Sequence, residues 1–382
     1  MNNNIDFYQR IKQKAENTPE EVAIEYYNEI LSYSETYQNI SCVASILRKT
    51  GIKQGDIVAV CIQNSIEMVI AVYSVLSVRA VVLPVDTDTP ADRMIDIIND
   101  SKPKAILHDN IASNKISSLN ISGILIDKIL FNIAIDKYNI ESEYINPDDM
   151  AFCMYTSGST GKPKGVILDY QGILNHAYAK ISLLGLTNDS KVCLSFNISF
   201  VASIWQLIVP IITGGRIVIY KKNLIKKPYK YFKQVSDDKI NSISITPHTL
   251  SGYLEYINKG KAKLPLSHIK HIILTGDKVT RNIINDFYSH YDHIELINAY
   301  GQTECSDDTY HYIIPKTINT DHVPIGEPIE NICGYILDEN LNLVIAGEKG
   351  ELYIGGVGVA KGYINNHELS ESKFLQTKYC ES

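Results

Sequence analysis

The sequence lacks the features that mark several large classes of protein. Its 36 lysines and arginines against 43 aspartates and glutamates leave a net charge of −7, which argues against a general nucleic-acid binder. None of the seven cysteines forms a Cys-x-x-Cys pair, so neither a zinc site nor a disulfide framework is predicted. Charges interrupt the apolar runs, and no basic segment precedes an apolar one at the N-terminus. We therefore expect a soluble, cytoplasmic protein with no membrane span and no nucleic-acid partner.

What the 382 residues do contain is an alternation of short apolar β-rich runs and amphipathic helical stretches. The helices are predicted at 37–49 and 65–76, and the strands at 56–62, 81–86, 104–107, 151–155, 192–196, 216–220, 242–246, 271–275 and 294–297. After about residue 320 come short alternating segments at 334–338, 341–344 and 350–354. The predicted fold is α/β, with two doubly wound α/β subdomains (about 1–150 and 151–320) and a small β-barrel-like subdomain (321–382).

One loop suggests the chemistry. Residues 156–165, directly after a predicted strand, read Thr-Ser-Gly-Ser-Thr-Gly-Lys-Pro-Lys-Gly. Backbone N–H groups and hydroxyls in such a loop can surround phosphate oxygens, while Lys162 and Lys164 neutralise their charge. The loop is not a Walker A motif, because Thr156 and Pro163 stand where that motif needs glycine and a hydroxyl residue.

This loop closely resembles the phosphate-loop signature of the adenylate-forming superfamily, which includes acyl-CoA synthetases, luciferases and nonribosomal peptide adenylation domains. Residues 31–35 and 77–86 resemble its first two core motifs, although Ser77-Val78-Arg79 departs from the usual Lys-Ala-Gly. Residues 298–304 resemble its adenine and magnesium motif, and 350–363 the late glycine-rich motif of peptide synthetases. The resemblance spans the whole chain and implies the large N-terminal core of an adenylation domain.

The resemblance also implies roles for individual residues, with ATP and Mg²⁺ as the bound groups. Tyr300 would stack on adenine, Asn298 would contact the edge of the base, and Glu304 would hold Mg²⁺. The residues implied in catalysis are Thr156, Lys164, Thr303 and Glu304. Those implied in nucleotide binding are Ser157, Gly158, Ser159, Thr160, Gly161, Lys162, Asn298, Ala299, Tyr300 and Gly301.

The segment 200–206 resembles the family's acid-pocket motif, with Val201 in the position where most α-amino-acid domains carry an aspartate. Valine cannot pair an α-ammonium, so an ordinary α-amino acid is disfavoured. Asp308 is expected to pair a β-ammonium instead, with Asp307 assisting it or facing solvent, which favours β-alanine. The alternatives are that both are exposed loop acids, or that the substrate is a 2-oxo or 2-hydroxy acid. The pocket implied by resemblance comprises Phe200 at the carboxylate gate, or simply packed in the core, then Val201, Ala202, Trp205, Ile245, Ile273, Thr275, Ala299, Asp307 and Asp308.

The expected product is an acyl-adenylate destined for the phosphopantetheine thiol of a carrier protein, with a small activator protein as a further possible partner. An acyl-CoA ligase and a catalytically silent nucleotide-binding module remain alternatives. In the family, a ribose-binding aspartate, a hinge and a small lid carrying a catalytic lysine would follow Ser382. We therefore expect the chain alone to bind its ligands but to form adenylate slowly or not at all.

Overall fold

The computed structural model describes residues 7–117, 119, 121–127, 145–157, 162–320, 322–376 and 379. The helices are α1 Phe7–Asn17, α2 Tyr33–Lys49, α3 Ile66–Ser77, α4 Ala91–Ser101, α5 Ser113–Ile116, α6 Tyr170–Leu184, α7 Ser203–Thr213, α8 Pro228–Asp237, α9 Pro247–Asn258, α10 Arg281–His290 and α11 His367–Lys373. The strands are β1 Val22–Tyr26, β2 Glu29–Ser32, β3 Ile57–Cys61, β4 Val81–Pro84, β5 Ala105–His108, β6 Gly123–Leu125, β7 Met150–Ser157, β8 Pro163–Asp169, β9 Lys191–Leu194, β10 Arg216–Ile219, β11 Ser242–Ile245, β12 His271–Leu274, β13 Glu295–Gln302, β14 Asp307–Ile314, β15 Glu327–Pro328, β16 Ile332–Leu337 and β17 Glu351–Gly356.

Two large sheets carry most of these strands, and the expected α/β class is confirmed. A six-stranded sheet has the order β6-β5-β3-β4-β7-β8, and only the β7–β8 pair is antiparallel. A nine-stranded sheet has the order β15-β14-β13-β12-β11-β9-β10-β1-β2, parallel from β13 to β1 and antiparallel at both ends. Strands such as β4 and β5 are buried along their whole length, which explains why they read as continuous apolar runs.

A layer of helices lies between the two sheets. The largest apolar core joins side chains of α1, α2, α3, α6 and α7 to strands of both sheets. A second core packs α8, α9 and α10 on the other face of the nine-stranded sheet, and a third packs α4 and α5 on the other face of the six-stranded one. In the part of the chain that the structure describes, no helix is both long and apolar enough to cross a bilayer.

The two sheets interleave along the chain. The N-terminal strands β1 and β2 belong to the nine-stranded sheet, where Ile24 pairs with Ile217 of β10. The strands β7 and β8, at residues 150–169, belong instead to the six-stranded sheet. No single cut near residue 150 therefore separates one sheet from the other.

The C-terminal strands form a hairpin, and a closed barrel is not found within the described residues. β16 and β17 pair along their length as expected for 334–338 and 350–354. The segment 341–344 contributes only an isolated bridge between Leu337 and Leu343. Its backbone turns sharply at Leu341, where φ is 60°, and Leu343 and Ile345 are exposed, so this stretch has no second sheet layer to cover it.

The start of α2 gives a test of the local folding rules. Ser32 Oγ accepts a hydrogen bond from Glu35 N at 3.2 Å, and Glu35 Oε2 accepts one from Ser32 N at 2.8 Å, forming a complete capping box. We expect Ser32→Ala to lower the free energy of unfolding by about 1 kcal/mol, measured by urea denaturation. Ser34→Ala, inside the same helical turn, serves as the control and should change it by less than about 0.5 kcal/mol. Equal effects of the two substitutions would contradict the capping assignment.

Candidate active site

The described residues of the motif expected to bind phosphate lie at the end of β7 and in β8, which pair as antiparallel strands. Thr156 pairs with Lys164, and Ser157 pairs with Pro163, so the chain reverses between Ser157 and Pro163. The predicted binding residues Gly158, Ser159, Thr160 and Gly161 lie outside the described residues. Thr156 and Lys164 are half-buried and Lys162 is exposed, so two cations stand beside the turn.

The late glycine-rich motif adds to the free edge of β8. Ile167 N donates to Gly362 O at 3.0 Å, Lys361 N donates to Ile167 O at 3.0 Å, and Ile364 N donates to Gly165 O at 2.8 Å. A Cβ at Gly165 would lie 2.6 Å from Ile364 Cγ2 and 2.8 Å from the Tyr155 ring, so this crossing requires glycine there. The end of the late glycine-rich motif therefore pairs with the backbone of β8, directly beside the phosphate-loop motif.

Tyr363 joins these motifs to Glu304. Its hydroxyl donates to Glu304 Oε1 at 2.8 Å, and Lys164 Nζ lies 4.8 Å from the centroid of its ring. Ala360 N donates to Glu304 O at 2.9 Å, which fixes the short 3₁₀ turn Thr303–Cys305. Burial, reinforced by the Glu304 carboxylate, raises the pKa of Tyr363, so the phenol stays protonated and keeps donating.

The strand β13 ends in the residues expected to bind adenine. Asn298 Nδ2 donates to Pro324 O at 2.7 Å, which leaves its Oδ1 to accept from a base. The Tyr300 ring is exposed at the strand end and has one edge-on aromatic neighbour, Tyr310. A Cβ at Gly301 would lie 2.0 Å from Asp307 O, because the β13–β14 ladder shifts register there. Only glycine allows this approach.

The predicted acid pocket draws on the ends of β11, β12 and β13 and the start of α7. These three strands run parallel, so their carboxyl ends meet at one edge of the sheet. Phe200 is 42% exposed, so the alternative of simple core packing is wrong for this residue. The remaining uncharged pocket residues are all buried: Val201, Ala202, Trp205, Ile245, Ile273, Thr275 and Ala299.

Asp308 is an anion that already has a cation. It forms a buried ion pair with Lys180 of α6, and Thr275 Oγ1 donates to its Oδ1 at 3.1 Å. His311 Nε2 lies 3.6 Å from its Oδ2, and Lys180 Nζ lies 5.7 Å from the centroid of the Trp205 ring. Burial opposes ionisation, but Lys180 overrides it and holds the pKa of Asp308 well below its usual range.

Asp307 is buried beside this pair and differs from Asp308 in its ionisation state. Burial, with the neighbouring charge of Asp308, raises the pKa of Asp307 well above its usual range, so it is held as a neutral acid. Burial also lowers the pKa of His176 to about 4, so the imidazole is neutral. The alternative that Asp307 and Asp308 are exposed loop acids is wrong, since they are 4% and 2% exposed. The alternative that Asp307 faces solvent is wrong for the same reason.

Backbone geometry explains why both carboxylates reach the same helix. Consecutive residues of a regular strand point to opposite faces. Here Ser306 and Asp307 have φ of 63° and 103°, and this left-handed start of β14 breaks the alternation. Asp307 Oδ2 and Asp308 Oδ2 consequently lie 3.6 and 3.9 Å from His176 Nε2.

Four residues that shape this site were not predicted from the sequence: His176, Lys180, His311 and Tyr363. His176 and Lys180 are four residues apart on α6 and so share one helical face, a spacing that sequence alone could have flagged. Tyr363 was noted only as the last residue of its motif, and nothing in the pattern of that motif indicated its bond to Glu304.

A family comparison accounts for this combination of fold and motifs. The family described as AMP-binding enzyme matches residues 11–364, and the chain therefore belongs to the family of AMP-binding enzymes. The chain is 31% identical to tyrocidine synthase 1 of Brevibacillus parabrevis over 375 residues, which cover 97% of this chain and 33% of that protein. It is 29% identical to the zwittermicin A synthase ZmaJ of Bacillus cereus, covering 94% of this chain and 69% of that one.

Solved structures agree on the fold. The N-terminal subdomain of Klebsiella oxytoca NpsA, in complex with 3-hydroxybenzoyl-AMSN, superposes with a TM-score of 0.84 at 23% identity, covering 98% of this chain and 93% of that one. The chain thus matches nearly the whole of that N-terminal subdomain, and it spans about a third of the length of tyrocidine synthase 1.

The neutral state of His176 predicts an acid-sensitive contribution to stability. An unfolded histidine takes up a proton near pH 6.5, whereas the folded one does so only near pH 4. Between these values the unfolded state binds more protons, so stability falls as pH falls, by about 1.4 kcal/mol per pH unit. Between pH 7 and pH 5, we expect the free energy of unfolding of His176→Gln to fall by about 2 kcal/mol less than that of the unsubstituted protein. Urea denaturation measures this difference.

His268→Gln provides the control for this measurement, since His268 is exposed. It should keep the pH dependence of the unsubstituted protein. An unchanged pH dependence in His176→Gln would show that the buried imidazole does not titrate as described.

Proposed function

We propose that this chain binds ATP and activates a small carboxylic acid as its acyl-adenylate. The carboxylate attacks the α-phosphorus, and pyrophosphate leaves. The observation that carries the proposal is the meeting of the phosphate-loop hairpin, Glu304 and the late glycine-rich motif at Tyr363. Membership of the AMP-binding enzymes supports it independently.

The residues near the hairpin have chemically sensible tasks in that reaction. Lys162 and Lys164 would neutralise phosphate oxygens, and the Thr156 and Thr303 hydroxyls would donate hydrogen bonds to them. The exposed Tyr300 ring would stack on adenine, while Asn298 Oδ1 would accept from its amino group. In such a site, positioning and charge neutralisation provide most of the catalysis.

Glu304 suits Mg²⁺. Its Oε1 accepts from Tyr363, and in the described part of the chain no group is bonded to its Oε2, which leaves one carboxylate oxygen for a hard cation. Bound there, Mg²⁺ would offset the phosphate charge. Tyr363 holds the carboxylate in place and so acts as a positioning residue.

For the acid, we propose a small β-amino acid such as β-alanine. Val201 offers no charge to an α-ammonium, and the buried carboxyl groups of the pocket lie elsewhere, on β14. A 2-oxo or 2-hydroxy acid is the second candidate, favoured by the Lys180–Asp308 pair, since Asp308 already has a cation. We further propose transfer of the acyl group to a carrier-protein thiol, by analogy with the peptide-synthase relatives.

A charge-removing substitution tests the magnesium assignment. Glu304→Gln keeps an acceptor for Tyr363 but loses the negative charge, so we expect ATP affinity in the presence of Mg²⁺ to fall roughly 10- to 100-fold. Affinity measured with EDTA should change little. Glu327→Gln, at an exposed glutamate of β15, is the control and should bind as the unsubstituted protein does. Equal Mg²⁺ dependence in Glu304→Gln would rule out this ligand.

Thermal stabilisation tests the substrate class. With Mg·ATP present, β-alanine at a hundred times its dissociation constant should add about 2.7 kcal/mol to the free energy of unfolding. L-Alanine should add much less, because Val201 leaves its α-ammonium without a partner. Stabilisation by 2-oxoisovalerate alone would instead establish the amine-free class.

A further inference from the structure

Two polar atoms next to the acid pocket have no hydrogen-bonding partner in the described structure. They are Asp307 Oδ2 and His176 Nε2, which lie 3.6 Å apart, and both side chains are more than nine-tenths buried. Buried polar groups are nearly always satisfied, so the pair indicates a missing ligand atom. The adjoining Asp308 is satisfied by Lys180 and Thr275.

The location of the pair connects it to the pocket. Asp308 accepts from Thr275, and Lys180 lies over Trp205, so two pocket residues touch the charged cluster directly. A metal ion is a poor occupant, although His176, Asp307 and Asp308 have suitable ligand atoms. The ammonium of Lys180 already neutralises Asp308 and would repel a second cation drawn to that carboxylate.

We propose that Asp307 and His176 receive the distal ammonium group of the substrate, and that Lys180 reserves Asp308 as an internal counter-ion. This inference rests on the proposed function. It moves the ammonium-binding role expected for Asp308 to its neighbour, because Lys180 already neutralises the charge of Asp308. Lys180 thereby becomes a specificity-determining residue.

Charge balance gives the proposal a measurable signature. His176 of α6 faces Asp307 directly, while Lys180 of α6 and His311 of β14 face the adjoining Asp308. Lys180 and Asp308 cancel, and the burial-raised pKa of Asp307 keeps it protonated. An arriving ammonium therefore brings one uncompensated charge. Asp307 balances it by releasing its carboxyl proton to solvent, leaving a carboxylate–ammonium pair.

The experiment uses two nonhydrolysable acyl-sulfamoyl adenosines that differ only at the distal group, one carrying β-alanine and the other 3-hydroxypropanoate. Their binding is measured by titration calorimetry between pH 5 and pH 8, in buffers with different ionisation enthalpies. While free Asp307 is protonated, we expect the β-alanyl ligand to release about one proton and to gain up to about tenfold affinity per pH unit. The hydroxyl ligand should release none, and its affinity should not rise.

Asp307→Asn extends the test, because an amide resembles the protonated acid in shape and charge. We expect it to weaken the β-alanyl ligand roughly 10- to 100-fold and to abolish proton release. Binding of the 3-hydroxypropanoyl ligand should stay within about threefold. Lys180→Met leaves Asp308 without its cation and is measured for comparison if it folds. The pH dependence measured on the unsubstituted protein tests the proposal without this variant.

The outcomes distinguish a failure of the proposed function from a failure of the ammonium site. If neither ligand binds the unsubstituted protein, the proposed nucleotide-dependent function fails, since both carry the same adenosine half. If both ligands bind with equal proton release, and Asp307→Asn weakens their binding equally, the ammonium site is overturned while the proposed function stands. Loss of discrimination in Asp308→Asn but not in Asp307→Asn would return the ammonium to Asp308.

Discussion

The buried ion pair between Lys180 and Asp308 is the constraint on which the site depends. It ties α6, in the helical layer between the sheets, to β14 of the nine-stranded sheet. Removing one partner of such a pair leaves a buried charge and typically costs about 3–5 kcal/mol. Lys180 holds Asp308 as an anion, while burial is the main cause that raises the pKa of Asp307 and lowers the pKa of His176. A polar pocket end with no net charge results.

A second set of contacts connects the sheets where the nucleotide chemistry is proposed. Glu304 follows β13 of the nine-stranded sheet, Lys164 belongs to β8 of the six-stranded sheet, and Tyr363 touches both. The separation between the Glu304 turn and the Asp307–Asp308 pair is only a few residues of chain. The proposed nucleotide and acid sites are therefore two ends of one short stretch of chain, as the proposed reaction between their ligands requires.

Local patterns predicted much of this architecture. The strand predicted at 81–86 is observed as Val81–Pro84, and the helix predicted at 65–76 is observed as Ile66–Ser77. Both were predictable because a strand buried on both faces reads as a continuous apolar run and an amphipathic helix has a period of about 3.6 residues. The interleaving of the sheets was not predictable, since Ile24 pairs with Ile217 through contacts that no local pattern encodes. Lys180 was missed because a single lysine in a helix usually faces solvent, and only tertiary packing buries it.

The coupling of α6 to β14 also limits how such a pocket can diversify. A substitution at Asp308 alone strands Lys180, and a substitution at Lys180 alone strands Asp308, so each single step passes through a destabilised protein. Lineages that exchange this pocket end for an apolar one must change a helix residue and a strand residue 128 positions apart together. A library that tests substitutions at Asp308 therefore has to vary Lys180 together with it.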